Sequence, residues 1–206
     1  MRYRIVYKKK AQLRFTSVLD IQAIWEQSIR RASLSLEYSS GFHPQPKIQI
    51  ALPLPLGYTS KHVIVDFWTI SGSSAQNIIT SLQNAVPAGI EIVSVEEIEG
   101  NQKSVVNQIK YSDYILTLFS KGKEFLDLGQ KIEAILLSRE IIRIKRNKEY
   151  DLRPLIIELR IENQNPLEIY MRLASEPGRT GRPDEVAKEL GLDLTEYIVE
   201  RTSIDN

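Results

Sequence analysis

Arg14-Phe15-Thr16-Ser17-Val18-Leu19-Asp20, continued by Ile21 through Arg31, opens an amphipathic helix directly after a strand. Ser17 has the residue type of an N-cap, and Asp20 stands three positions on, where a capping box puts its acid. Val18, Ile21, Ile24, Trp25 and Ile29 recur at helical spacing, so this helix runs to about Ala32. Upstream, residues 3–8 alternate with the period of a strand. Downstream, Ser39-Ser40-Gly41-Phe42-His43-Pro44-Gln45-Pro46 is a loop of restricted shape, because its prolines fix φ and its glycine frees it.

Ile48–Leu52 and Val63–Ile70 read as strands on either side of Pro53-Leu54-Pro55-Leu56-Gly57, where Gly57 supplies a positive φ. A second helix spans about Ser74 to Asn84 with Ile78, Ile79 and Leu82 inward, and Pro87 and Gly89 stop it. Ile90–Ile98 is the next strand, so the first half reads β-α-β-β-α-β. Gly100–Asn107 is polar and unpatterned, a linker.

The second half repeats the theme. Ile109–Phe119 alternates as a strand, and Phe125, Leu128, Ile132, Ile135 and Leu136 mark a helix. Ile141–Lys145 is a short basic strand, and Leu155–Ile161 and Leu167–Leu173 form a hairpin. Pro183 and Gly191 bracket a short helix, and Tyr197–Ile204 closes the chain as a strand. The pattern predicts an α+β fold: two ferredoxin-like βαββαβ units in tandem, antiparallel sheets with helices on one face. The units are 1–100 and 109–206, joined by a linker at 101–108, with one continuous α+β domain as the alternative.

At 206 residues, with 42 % apolar and 26 % charged side chains, the composition is that of an ordinary globular protein. There is no run of about eighteen apolar residues, so a cytoplasmic protein without a membrane partner is expected. The absence of cysteine removes disulfides, thiol catalysis and cysteine-held clusters. Two histidines without cysteine do not make a transition-metal site, so neither metal nor cofactor is expected. Walker, dinucleotide, nucleophile-elbow and His-Glu-x-x-His motifs are missing.

Charge is unevenly spread. Residues 1–50 carry nine Lys/Arg against three acids, and residues 139–153 carry six against three. A near-neutral chain with such clusters can present a basic face to a phosphate-bearing partner. The candidate nucleic-acid contacts are Arg14, Ser17, Asp20, Arg30, Arg31, Gly41, Phe42, His43, Lys47, Arg143, Arg146, Arg153 and Arg182. Each has a plainer reading. Ser17 and Asp20 cap the helix, and Arg30 and Arg31 sit at its negative end, one of them free to pair with an acid such as Asp20. Phe42 either anchors its loop by burial or offers a stacking platform for a base. His43 either fixes the loop or serves as general acid or base.

Together these segments resemble the radical SAM-linked family, a domain of unknown function found beside or fused to cobalamin-binding radical SAM proteins. The resemblance rests on Arg14-Phe15…Ser17…Leu19-Asp20, Arg30-Arg31-Ala32, Tyr38-Ser39…Gly41-Phe42…Pro44…Pro46, Pro55-Leu56-Gly57, Asp151…Arg153-Pro154 and Gly181-Arg182-Pro183-Asp184. Such proteins often carry histidine where this chain has Val18, and asparagine where it has His43. The resemblance implies a radical SAM protein as partner in RNA-related metabolism, while this chain lacks the cysteines for radical chemistry of its own. The functional expectation is an RNA-binding accessory module. Alternatives are a metal-independent endoribonuclease using His43, by fold-level analogy with CRISPR repeat-processing enzymes, and a protein-interaction scaffold.

Overall fold

A capping box and a row of alternating strands set the frame of the chain. The computed structural model describes residues 1–99, 105–119, 127–145 and 147–205. The predicted helix marker Phe125, the candidate contact Arg146 and linker residues 100–104 lie outside the described residues. The chain divides into two units, Met1–Val105 and Val106–Asn206. It is a mixed α/β chain with antiparallel strand pairing and, among the described residues, four α-helices.

In the first unit, β1 (Arg2–Lys9) leads through a 3-10 turn (Ala11–Phe15) into α1 (Val18–Arg31). Ser17 Oγ accepts from the Asp20 amide at 3.2 Å, and Asp20 accepts from the Ser17 amide at 2.9 Å. Both reciprocal bonds of the box are therefore made. β2 (Ile48–Ala51), β3 (Tyr58–Trp68), α2 (Ala75–Gln83) and β4 (Ile90–Ile98) follow. Pairing gives the order β4-β1-β3-β2. On β1, Tyr3, Ile5 and Tyr7 point into the core, and Tyr7 meets Trp25 of α1 edge-on at 4.9 Å. On α1, Ile21, Trp25, Ser28 and Ile29 make one buried stripe at helical spacing. Arg2, Arg4, Val6 and Lys8 alternate onto the other face of β1.

The second unit runs β5 (Tyr111–Leu118), α3 (Leu128–Leu137), β6 (Ile142–Lys145) and β7 (Lys148–Asp151). After a 3-10 turn (Arg153–Leu155) come β8 (Ile156–Gln164), β9 (Leu167–Glu176), β10 (Arg179–Thr180), α4 (Pro183–Glu189) and β11 (Tyr197–Asp205). The long strands pair in the order β11-β5-β9-β8. Leu116, Leu128, Ile169, Met171, Leu173 and Val186 fill this unit's core.

Three expectations are corrected. β3 begins at Tyr58 instead of Val63, because the polar run Thr59–His62 hides a strand that backbone pairing with β1 reveals. The single basic strand at 141–145 is one arm of a β6–β7 hairpin, beside whose turn Asn147 takes a φ of +61°. β10 adds a further short strand after Gly178, whose φ of +79° suits glycine.

Candidate nucleic-acid interface

The candidates of the first unit fall into two groups at opposite ends of β3. The amide of Gly57, φ +89°, donates to the Arg14 carbonyl at 2.7 Å, so Arg14 sits where β3 begins. At the other end, the Trp68 amide donates to the Lys47 carbonyl at 3.1 Å, so the 39–46 loop sits where β3 finishes. β3 has 11 residues, and a strand rises about 3.3 Å per residue, which puts roughly 33 Å between the two ends. Arg14, Ser17 and Asp20 therefore share no surface with Phe42. The Arg14 guanidinium lies over the Phe15 ring at 4.5 Å, and hydrogen bonds from the Ser17 side chain and amide hold the Asp20 carboxyl below its ordinary pKa. That end is built around the helix cap.

The other end gathers six candidates. Lys47 donates its backbone amide to Glu37 at 2.8 Å, and Tyr38 bridges Pro46, which roots the loop in a short ladder. Ser39 closes it twice, donating its amide to the Gln45 carbonyl at 2.8 Å and accepting the Gln45 amide on Oγ at 2.9 Å. Gly41 crosses the tip with φ +127°, a value that L side chains rarely adopt. The expectation that Phe42 anchors this loop by burial is overturned: the ring is 102 % exposed. The anchoring is done by the backbone and by Ser39 instead, leaving the aromatic at the tip with solvent on all sides.

Around the loop, Arg30 pairs with Glu26 at 2.7 Å and donates to Tyr38 Oη at 2.6 Å; its acid partner is therefore Glu26, not Asp20. Tyr38 and Glu26 together raise the Arg30 pKa. Arg31 reaches Ser28 Oγ at 3.4 Å. Lys47 hydrogen-bonds Glu37 and holds that carboxyl below its ordinary value. His43 is exposed, and none of the described residues hydrogen-bonds to its imidazole.

In the second unit the arginines are mostly committed. Arg143 pairs with Glu185 at 3.6 Å and with Glu189. Arg153 forks onto the backbone, donating to the Leu136 carbonyl at 2.9 Å and the Ile156 carbonyl at 3.0 Å. Arg182 is exposed at the start of α4. The sheet carries groups that the sequence reading passed over: Arg160 stacks 3.9 Å over Tyr170, and Arg172 lies 5.2 Å over Tyr111. Period-two alternation in β5 and β9 puts Tyr111, Asp113, Tyr170 and Arg172 on one face, a signal visible once the register is known. Among the described residues no group of three or more His, Asp or Glu side chains could hold a metal ion. None of the described helices is long and apolar enough to cross a membrane.

These features define a mixed α/β protein with antiparallel sheets and an aromatic-tipped loop. The chain belongs to a family described as uncharacterized proteins conserved in bacteria, DUF2344, whose model matches residues 2–183. No curated protein matches it. It is similar to a crystal structure of an unknown protein from Galdieria sulphuraria, at 11 % identity over 98 % of both chains with a TM-score of 0.30. A likeness at that level says nothing of fold or function.

Proposed function

We propose that this chain is a cytoplasmic RNA-binding accessory module serving a radical SAM enzyme in RNA modification or processing. In this reading it is built as two ferredoxin-like units joined near 101–108. The observation that carries the reading is the fully exposed Phe42 ring on a loop whose root is hydrogen-bonded closed. An apolar ring held out in water by a shaped loop is a surface waiting for a flat partner, and a nucleobase stacked on an aromatic contributes about 1–3 kcal/mol. Arg30 and Lys47 stand at the root of the same loop, Arg31 follows Arg30 at the end of α1 with its guanidinium on Ser28, and the three would hold the phosphates. Exposed ion pairs add little to stability in water, so a phosphate can replace Glu26 or Glu37 as their partner.

The two strand orders, β4-β1-β3-β2 and β11-β5-β9-β8, support the tandem ferredoxin-like reading. The radical SAM partner is supported by the sequence resemblance alone. The test is anisotropy of a labelled single-stranded oligoribonucleotide across a salt series. Three neutralised phosphates predict a slope of log affinity against log salt of roughly −2, since each single-strand phosphate contributes about −0.7. A flat salt dependence, or no binding at low ionic strength, rejects the reading.

A further inference from the structure

The second unit holds a pocket of about 410 Å³ between the end of β7, the β9–β10 turn and the start of α4. That volume lies in the usual range for small-molecule sites, about 300–1,000 Å³. Its walls are held by the backbone. Asp151 Oδ1 accepts the amides of Ile141 at 2.8 Å and Arg153 at 2.9 Å, fixing the turn that carries Leu155 into the wall. Gly181 donates to the Ala174 carbonyl at 2.8 Å. A Cβ at Gly181 would meet the Leu155 carbonyl oxygen and Leu173 Cβ at 3.0 Å, so the chain must be bare there to bring Arg182 against this wall.

The lining has a definite chemistry. Arg182 is exposed; its carbonyl accepts the amides of Glu185 at 3.1 Å and Val186 at 3.2 Å, while its guanidinium makes no hydrogen bond or ion pair with any described residue. Arg179 shares the wall, tethered to Glu176 at 3.1 Å and to the Pro154 carbonyl at 3.3 Å. Tyr150 also lines the pocket, and its shielded hydroxyl has no hydrogen-bond partner among the described residues. Burial, with Glu185 nearby, raises the pKa of that hydroxyl, so at neutral pH it keeps its proton and remains a donor. Asp151 is the one acid among the described residues that line the pocket, and both amides it accepts fall on Oδ1.

We infer that this pocket binds a phosphomonoester of mononucleotide size. Arg182 and Arg179 take the phosphate, since a guanidinium fork matches phosphate oxygens in pairs. Asp151 takes a ligand hydroxyl or amine, and the Tyr150 ring and Leu155 supply the apolar wall. The proposed site shares no residue with the Phe42 loop.

Calorimetry on the full chain, with a nucleoside monophosphate, the same nucleoside without phosphate, and inorganic phosphate, tests the inference. The monophosphate is expected to bind at least tenfold more tightly than either of the others. Arg182→Ala should weaken it tenfold or more with the thermal midpoint unchanged, Arg182→Lys should restore part of the loss, and Phe42→Ala should change nothing. Tyr150→Phe keeps the ring that forms the wall and should leave the affinity little changed, whereas Tyr150→Ala should weaken it several-fold. Equal binding of the bare nucleoside, equal binding of inorganic phosphate, absence of monophosphate binding at millimolar concentration, or an unaffected Arg182→Ala protein would each overturn the assignment.

Discussion

The Arg30 guanidinium donates to the Tyr38 hydroxyl at 2.6 Å, and this contact ties the last turn of α1 to the root of the loop that carries Phe42. Helix end and loop root are thus one local structure. Removing the hydroxyl with Tyr38→Phe leaves Arg30 its Glu26 partner, so the thermal midpoint should hardly move. The loop root should loosen, with faster amide exchange at Ser39 and Gln45, whose hydrogen bonds close it. Unchanged exchange at both amides would show that the loop is held without Tyr38.

Asp66 sits on β3 with its carboxylate 5 % exposed, accepting from Arg2 and, at 2.9 Å, from Arg4 on neighbouring β1. Two arginine side chains, each only 12 % exposed, converge on this one carboxylate. Asp66→Ala should therefore destabilise the first unit by about 3 kcal/mol, the scale of a broken buried ion pair. Denaturant unfolding measures it. A loss well under about 1 kcal/mol would mean that water solvates both arginines.

Glu91 gives the sign of one pH effect. Hydrogen bonds from Lys10 and then Lys8 hold its carboxyl down at about 2, against an ordinary value of 4.5. A carboxyl with a depressed folded pKa adds stability that is complete above the unfolded value and lost as pH falls through the folded one. The window is therefore about pH 4.5 down to 2. Glu91→Gln should flatten the acid limb by lowering stability slightly above about pH 4.5 while leaving it unchanged near pH 2, the effect kept small because the pairs face water. Identical acid limbs for the two proteins would contradict the pairing.

What could be read from residues alone followed how local the cause was. The Ser17–Asp20 box needs two side-chain types three positions apart, and α1 appears from Val18 to Arg31 beside an expected end near Ala32. Pro183 and Gly191, φ +78°, likewise bracket α4 as expected. The strand start at Tyr58–His62 has no local signal: Ser60 pairs with Lys9 of β1, more than fifty positions away and across a register shift. Charge pairing is more distant still: nothing near Arg143 announces Glu189, nor anything near Arg2 Asp66. For that reason a count of cations overstated the basic surface. The exposure of Phe42 was undecided for a related cause, since Ser39 and Gln45 secure the loop without needing the ring.

The most direct measurement is the affinity of Phe42→Ala for a single-stranded oligoribonucleotide, set beside its thermal midpoint. Loss of one stacked base predicts roughly tenfold weaker binding with the midpoint and the salt slope unchanged, since the ring contacts water and not the core. Affinity equal to that of the unaltered chain would contradict Phe42 as the base platform and the RNA-binding reading that rests on it.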